Sequence, residues 1–337
     1  MIRLAFVGSS FIVDRLMNGL KLVEGWRLTA CYSRDAVRAA ENAVRWGAEH
    51  SYGDWEAFCK ADCYDAAYVA TPNICHFEQT RDLLCCGKHV LLEKPATLTA
   101  AEFAELMKTA KQQGVCLMEA MRPMHLPDLP LIEAAMERLG VIRYADFPYC
   151  QYSSRYDKYR VGIVENAFKP ELAGGALMDI GCYAVSWMER LLGMPKTLRA
   201  DTIYLPGGID AVTTLMAAYE NCIAVVSGSK VHQSIRPCVI EGEKGTLTLS
   251  PFPMPNKMRL ELRDGTVEEQ PIRCCAADMC YEAEDFLTLC RGERDGADDL
   301  RHSLNVMRLM DEARRQTGID FTREQSEKAR REEMLWQ

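Results

Sequence analysis

Residues 4–13 read Leu4-Ala5-Phe6-Val7-Gly8-Ser9-Ser10-Phe11-Ile12-Val13. An apolar run meets a glycine, and Ile12, Leu16 and Leu20 then recur at helical spacing. This predicts a strand, a tight turn and an amphipathic helix. The same alternation continues downstream. Leu28 to Tyr32 is the next β-rich run, followed by a helix from near Asp35 carrying Val37, Ala40 and Val44, and by a short strand near Tyr52. Ala66 to Ala70 is stopped by Thr71-Pro72-Asn73, because proline donates no hydrogen bond to a ladder. A helix from His76 to Cys86 ends at Gly87, and Val90 to Leu92 ends at Glu93-Lys94-Pro95. Thr99 and Glu102 have capping-box spacing, Gly114 closes that helix, and Val115 to Met118 is a sixth strand. Strand and helix in alternation with short links predict an α/β fold, a Rossmann-type doubly wound parallel sheet over 1–121.

The pattern changes beyond Met121. Pro123, Pro127 and Pro130 mark a link before one helix. Strands are then expected near 141–152, 197–204, 211–219, 222–229, 237–241, 246–249 and 258–262, interrupted by a helix from Ala176 to Leu192. Helices near 280–291 and 298–316 follow, and the charged tail from Arg323 is expected to be solvated. Strands in series without helices between them predict a C-terminal α+β domain, 122–337, with a large, mainly antiparallel open sheet.

Composition narrows the function. A net charge of −8 argues against general nucleic-acid binding, which depends on neutralising phosphates. No apolar run approaches a membrane span, and the first residues form a strand rather than a signal peptide. The 15 cysteines form no CxxC pair, and the histidines are not spaced around them as zinc ligands. Reduced thiols in a cytoplasmic protein, with no metal site, are the expectation.

In a doubly wound sheet, ligands bind beyond the carboxyl ends of the strands. The first turn keeps only one glycine of the dinucleotide fingerprint: Ser10 and Val13 replace the second and third. Its context still fits, since the amides of a helix N-terminus face a pyrophosphate. Gly8, Ser9, Ser10, Phe11 and Ile12 are therefore the candidate phosphate turn. At the second strand's end the sequence is Tyr32-Ser33-Arg34, with Arg38 one turn on. A carboxylate there would bind the ribose diol of NAD, whereas Ser33, Arg34 and Arg38 suit the 2′-phosphate of NADP. NADP is favoured, NAD being the alternative, and Asp35 is read as starting the helix. Lys94 at a strand end can face a nicotinamide. Asp179 and Tyr183, four positions apart, share a helical face. Carboxylate, phenol and ammonium make a set able to handle a proton. In isolation Asp179 reads equally as a helix cap and Tyr183 as a core residue.

Together these motifs resemble the Gfo/Idh/MocA oxidoreductases. The carriers are the Rossmann start at Gly8, Ala70-Thr71-Pro72-Asn73 with His76, Glu93-Lys94-Pro95, the run Phe168-Lys169-Pro170-Glu171-Leu172-Ala173-Gly174-Gly175-Ala176-Leu177 leading to Asp179-Ile180-Gly181-Cys182-Tyr183, and Ile240-Glu241-Gly242-Glu243-Lys244-Gly245-Thr246-Leu247. The branch of dimeric dihydrodiol dehydrogenases and NADP-linked D-xylose dehydrogenases is similar in carrying tyrosine at the position of Tyr183. The resemblance implies hydride transfer between nicotinamide and a carbinol or carbonyl of a sugar, cyclitol or vicinal diol. It implies Tyr183 as acid/base, Lys94 beside substrate and nicotinamide, and Asp179 positioning substrate or Lys94. Glu93, Thr71, Pro72, Asn73 and His76 would lie toward the cofactor, and the second sheet would pack in a homodimer. Two other readings of the same fold are a cofactor sensor without turnover and an NAD-using glycosidase. Arg122, His125, Arg155, Tyr156 and Arg160 are further polar groups expected near the cleft.

Overall fold

The computed structural model describes residues 1–277 and 279–321, so the charged tail lies outside the described residues. The first elements are β1 (Ile2–Val7), α1 (Phe11–Leu20), β2 (Trp26–Tyr32), α2 (Ala36–Trp46), β3 (His50–Tyr52), α3 (Trp55–Cys59), β4 (Ala66–Val69), α4 (His76–Cys85), β5 (His89–Glu93), α5 (Ala100–Gln113) and β6 (Leu117–Ala120). Their six strands form a parallel sheet in the order β3-β2-β1-β4-β5-β6. The order reverses between β1 and β4, the switch point at which such sheets bind ligands. Asp35 caps α2, its carboxylate accepting from the amides of Val37 and Arg38. Thr99 and Glu102 form the reciprocal capping box of α5. The sixth strand begins at Leu117 rather than Val115, because the amide of Val115 still donates to Ala110 O at 3.0 Å and so belongs to the end of α5.

The next elements are α6 (Leu129–Glu137), β7 (Ile142–Cys150), α7 (Tyr156–Arg160), α8 (Cys182–Leu192), β8 (Thr197–Tyr204), β9 (Asp210–Ala218), β10 (Ile223–Ser229), β11 (Cys238–Gly242), β12 (Gly245–Ser250), β13 (Lys257–Leu262) and β14 (Val267–Pro271), then α9 (Met279–Cys290) and α10 (Ala297–Thr317). The second sheet runs β14-β13-β12-β11-β7-β10-β9-β8. It is antiparallel except between β7 and β10. The expected helix from Ala176 begins instead as a π-helical turn, Leu177–Gly181, that passes into α8.

The chain forms two compact units, and neither is a single stretch of sequence. Among the described residues, 1–125 and 275–304 make the first; 126–274 and 305–321 make the second. A single boundary after residue 121 therefore misplaces α9. The reason is hydrophobic: Met279, Ala283, Phe286 and Leu287 are buried in one cluster with Val13, Leu16 and Leu20 of α1.

Candidate active site

The first unit presents its candidate groups at the carboxyl ends of its strands. Gly8 has φ +112°, and a Cβ built there would lie 2.5 Å from the carbonyl oxygen of Ala70. Only glycine permits this close approach of the ends of β1 and β4. Ser9 follows, and Ser10 is the N-cap of α1 without a side-chain capping bond, so its hydroxyl is not used up on the helix's own amides. Phe11 is exposed and Ile12 half-buried on the first turn. Small residues, amides at a helix start and the switch point together fit a dinucleotide pyrophosphate. Ser33 is half-buried, and Arg34 and Arg38 are exposed beyond the end of β2. Arg34 is close enough to Tyr32 and Cys75 to lower the pKa of both, opposing the rise that burial causes.

Lys94 is held on a braced loop. Its amide donates to Glu93 Oε2 at 3.1 Å, and Tyr68 donates its hydroxyl proton to Glu93 Oε1. Burial pushes the Glu93 carboxyl above its ordinary value, while Lys94, Tyr68 and the Lys94 amide pull it back. Ala96 N donates to Glu119 Oε1 at 2.9 Å. His76 is buried, with ring nitrogens 3.0 Å from the carbonyl oxygens of Pro95 and Thr71. It therefore braces the two turns from behind. Burial lowers its pKa, and the two carbonyls oppose that. Thr71 donates its hydroxyl to Gln79 Oε1 at 2.7 Å, and Pro72 and Asn73 lead into a 3₁₀ turn before α4. Arg122 lies near enough to Glu93 to favour its ionised form. His125 is buried against Asp285 at 2.7 Å, a structural tie to α9.

The second unit carries Asp179 and Tyr183. Gly175 has φ +108°, and the adjoining backbone is pinned by buried Asp210, whose carboxylate accepts from Leu177 N at 2.7 Å. Asp179 stands on the π-helical turn and is not a helix cap. Its Oδ2 is 2.8 Å from Lys230 Nζ. Tyr183 is 5% exposed, its ring set edge-on to Tyr149 with centroids 5.7 Å apart. Arg155 pairs with Glu165 at 3.1 Å and Arg160 with Asp157 at 3.8 Å, while Tyr156 stacks on Phe168. Asp210 and Lys230 are residues of these settings that sequence reasoning passed over. Nothing local marks either: Asp210 is one carboxylate at the start of a strand, and Lys230 is one lysine after a Ser-Gly-Ser run.

None of the fifteen cysteines is joined in a disulfide. Among the described residues no group of three or more His, Cys, Asp or Glu side chains could hold a metal, and no helix is long and apolar enough to cross a membrane.

Comparison with known proteins agrees with this layout. Residues 2–121 match the NAD-binding Rossmann domain of the Gfo/Idh/MocA oxidoreductase family, and residues 135–248 match a C-terminal domain of that family. The chain is 39% identical over 328 residues to the scyllo-inositol 2-dehydrogenase (NADP(+)) IolU of Bacillus subtilis, covering 97% of this chain and 100% of that one. It is 26% identical to a trans-1,2-dihydrobenzene-1,2-diol dehydrogenase of Xenopus tropicalis, covering 88% and 91%. The fold is that of the 3-ketoreductase KijD10 of Actinomadura kijaniata, solved with NADP and TDP-benzene: TM-score 0.82, 22% identity, 94% of this chain and 98% of that one.

Proposed function

From the premise that the chain belongs to the Gfo/Idh/MocA family and is an NAD(P)-dependent oxidoreductase, we propose that it is an NADP-linked dehydrogenase acting on a secondary hydroxyl of a cyclitol or sugar. The observation that carries this is the match along the whole length of a scyllo-inositol dehydrogenase, with Lys94, Asp179 and Tyr183 all present.

In this reading Gly8, Ser9, Ser10, Phe11 and Ile12 hold the pyrophosphate. Ser33, Arg34 and Arg38 hold the 2′-phosphate, and Thr71, Pro72, Asn73 and Glu93 line the nicotinamide ribose. The bound nicotinamide supplies a hydride acceptor. This chain's own residues manage the proton. Taking hydride from a carbinol carbon requires loss of the hydroxyl proton, and Tyr183 Oη receives it. A free tyrosine, with a pKa near ~10, is a poor base at neutral pH. An ammonium alongside favours phenolate, which is the part Lys94 plays. In the reverse direction Tyr183 returns the proton to the forming alkoxide. Asp179 accepts a hydrogen bond from the substrate and fixes its orientation. The braces on Glu93, Pro95 and Ala96 limit how far Lys94 can wander from that geometry.

A panel of inositols, aldoses and diols, begun with scyllo-inositol and D-xylose and read by NADPH absorbance, tests this. Turnover of a cyclitol or sugar supports it. A protein that binds NADP(H) and turns over none of the panel is a sensor, and the proposal falls.

Cofactor choice is tested separately. NADPH is expected to bind roughly 10- to 100-fold more tightly than NADH, the worth of a charge-assisted contact of about 1.5–3 kcal/mol. Arg34→Ala should weaken NADPH and leave NADH unchanged. Titrations in which wild-type protein prefers NADH would refute the 2′-phosphate assignment.

The second sheet supports a reading of the assembly. The register places Arg199, Met216, Val225, Asp146, Val239, Thr248 and Arg259 across one face of seven successive strands. That face also carries Ile203 and Ile223, 64% and 46% exposed. Exposed apolar residues interspersed with charged ones across one sheet face suit an association surface. We propose a homodimer that covers it. Light scattering at micromolar concentration should give twice the chain mass of 38.0 kDa; a clean monomer overturns the dimer.

A further inference from the structure

β10 ends at Ser229, and the next side chain turns into the interior of the second unit. Lys230 is 1% exposed. Its Nζ lies 2.8 Å from Asp179 Oδ2 and 2.5 Å from Ala167 O, and 4.6 Å from the centre of the Phe168 ring. Burying an ammonium is costly unless a counter-charge and hydrogen-bond acceptors replace its water. Here a carboxylate, a carbonyl and the negative face of an aromatic ring do so. Lys230 thus ties together the end of β10, the 3₁₀ turn at Asn166–Phe168 and the π-helical turn that carries Asp179. The partner differs in exposure: the Asp179 side chain keeps 34% of its surface toward solvent. One edge of the carboxylate is gripped from inside while the group still reaches the surface.

We propose that Lys230 is a positioning residue: by gripping Asp179 from behind it keeps that carboxylate ionised and in one rotamer, so that Asp179 offers substrate a fixed anionic hydrogen-bond acceptor and carries no proton itself. Lys230 is too buried to meet substrate, so whatever it does for the reaction passes through Asp179. A hydroxyl donating to an ionised, immobile carboxylate makes a short, strong and directional bond. It orients the carbinol for hydride loss without rearrangement during the reaction. This inference rests on the reading of Asp179 and Tyr183 as the substrate-facing pair.

Lys230→Met keeps the aliphatic stem and removes the charge. On the best substrate of the panel it should lower kcat by about 10²-fold, the cost of a misplaced orienting group, while cofactor affinity stays within about twofold. Asp179→Asn should lower kcat comparably. The double variant should be no slower than Asp179→Asn alone, since no carboxylate remains to be held. It should also melt above Lys230→Met, because it no longer leaves a half-buried carboxylate without its cation. If Lys230 only props the fold, its loss will multiply with that of Asp179→Asn, and a further tenfold drop in the double variant overturns the proposal. Should Lys230→Met fail to fold, Asp179→Asn and the double variant decide the matter on the same comparison. Wild-type turnover by Lys230→Met beside an impaired Asp179→Asn sinks the role of Lys230 and leaves the site intact. Wild-type turnover by Asp179→Asn removes the site reading itself, and this inference with it.

Discussion

Tyr183→Phe is expected to lower turnover by roughly 10²–10⁴-fold, the usual worth of a general acid–base group, and to leave the affinity for NADP(H) unchanged. The substitution deletes one oxygen and keeps a ring that is buried edge-on to Tyr149, so packing is preserved. On the proposed mechanism Lys94→Met should also damage turnover, because it would remove the ammonium proposed to make phenolate accessible. The two losses should not add, since both act on one proton transfer. Steady-state kinetics of both single variants and the double, with cofactor titrations as controls, check this. A Tyr183 that merely fills the core predicts normal kinetics for Tyr183→Phe and a small drop in melting temperature. Wild-type-like turnover in that variant would remove the proposed mechanism.

Gly175→Ala should be the most damaging single-methyl addition near the second unit's site. At φ +108° an L side chain is strained by about 1–2 kcal/mol. The added Cβ would stand 1.7 Å from Asp210 Oδ1, a contact no side chain can tolerate. Overpacking of this kind typically costs about 1–3 kcal/mol more. Asp210 cannot yield cheaply: it is buried and its other oxygen accepts the amide of Leu177, the first residue of the π-helical turn. Burial already pushes its carboxyl above the ordinary value, with the Leu177 amide and Thr213 hydroxyl pulling it down. The clash is therefore passed to the turn that carries Asp179. The expected result is a melting temperature lowered by roughly 5 °C or more, with turnover falling further than the folded fraction does. Gly193→Ala is the control: it also has positive φ, but its Cβ would meet nothing within 4 Å. If both variants retain equal activity per folded molecule, Gly175 does not govern the site.

The fold was largely legible because its signals are local. Gly8 after an apolar run, Pro72 after Ala70, and Thr99 with Glu102 each report a boundary within a few residues, and the structure places boundaries there. What escaped has no such marker. β14 reads Val267-Glu268-Glu269-Gln270-Pro271, an edge strand whose polar side chains face solvent on both sides, so no alternation betrays it. The parallel pairing of β7 with β10 is a choice among partners far apart in sequence, which composition does not encode. The π-helical turn at Leu177–Gly181 was read as ordinary helix because an extra residue per turn leaves no trace in residue type. The site shows the same division. Lys94, Asp179 and Tyr183 stand in recognisable motifs, whereas Asp210 and Lys230 stand out only through what the folded chain brings to them.

The return of α9 to the first unit bears on how the chain is made. Residues 1–125 leave the ribosome before 275–304 exist, and all of 126–274 is synthesised in between. Until Phe286 and Leu287 arrive, the cluster that Val13, Leu16 and Leu20 share with the first sheet lacks its last members. The first core is therefore completed only after the whole second sheet has been synthesised, and incomplete cores of this kind are what chaperones engage. A fragment ending at residue 121 would lack Met279, Ala283, Phe286 and Leu287 from that cluster and should be less stable than the same unit in the full chain.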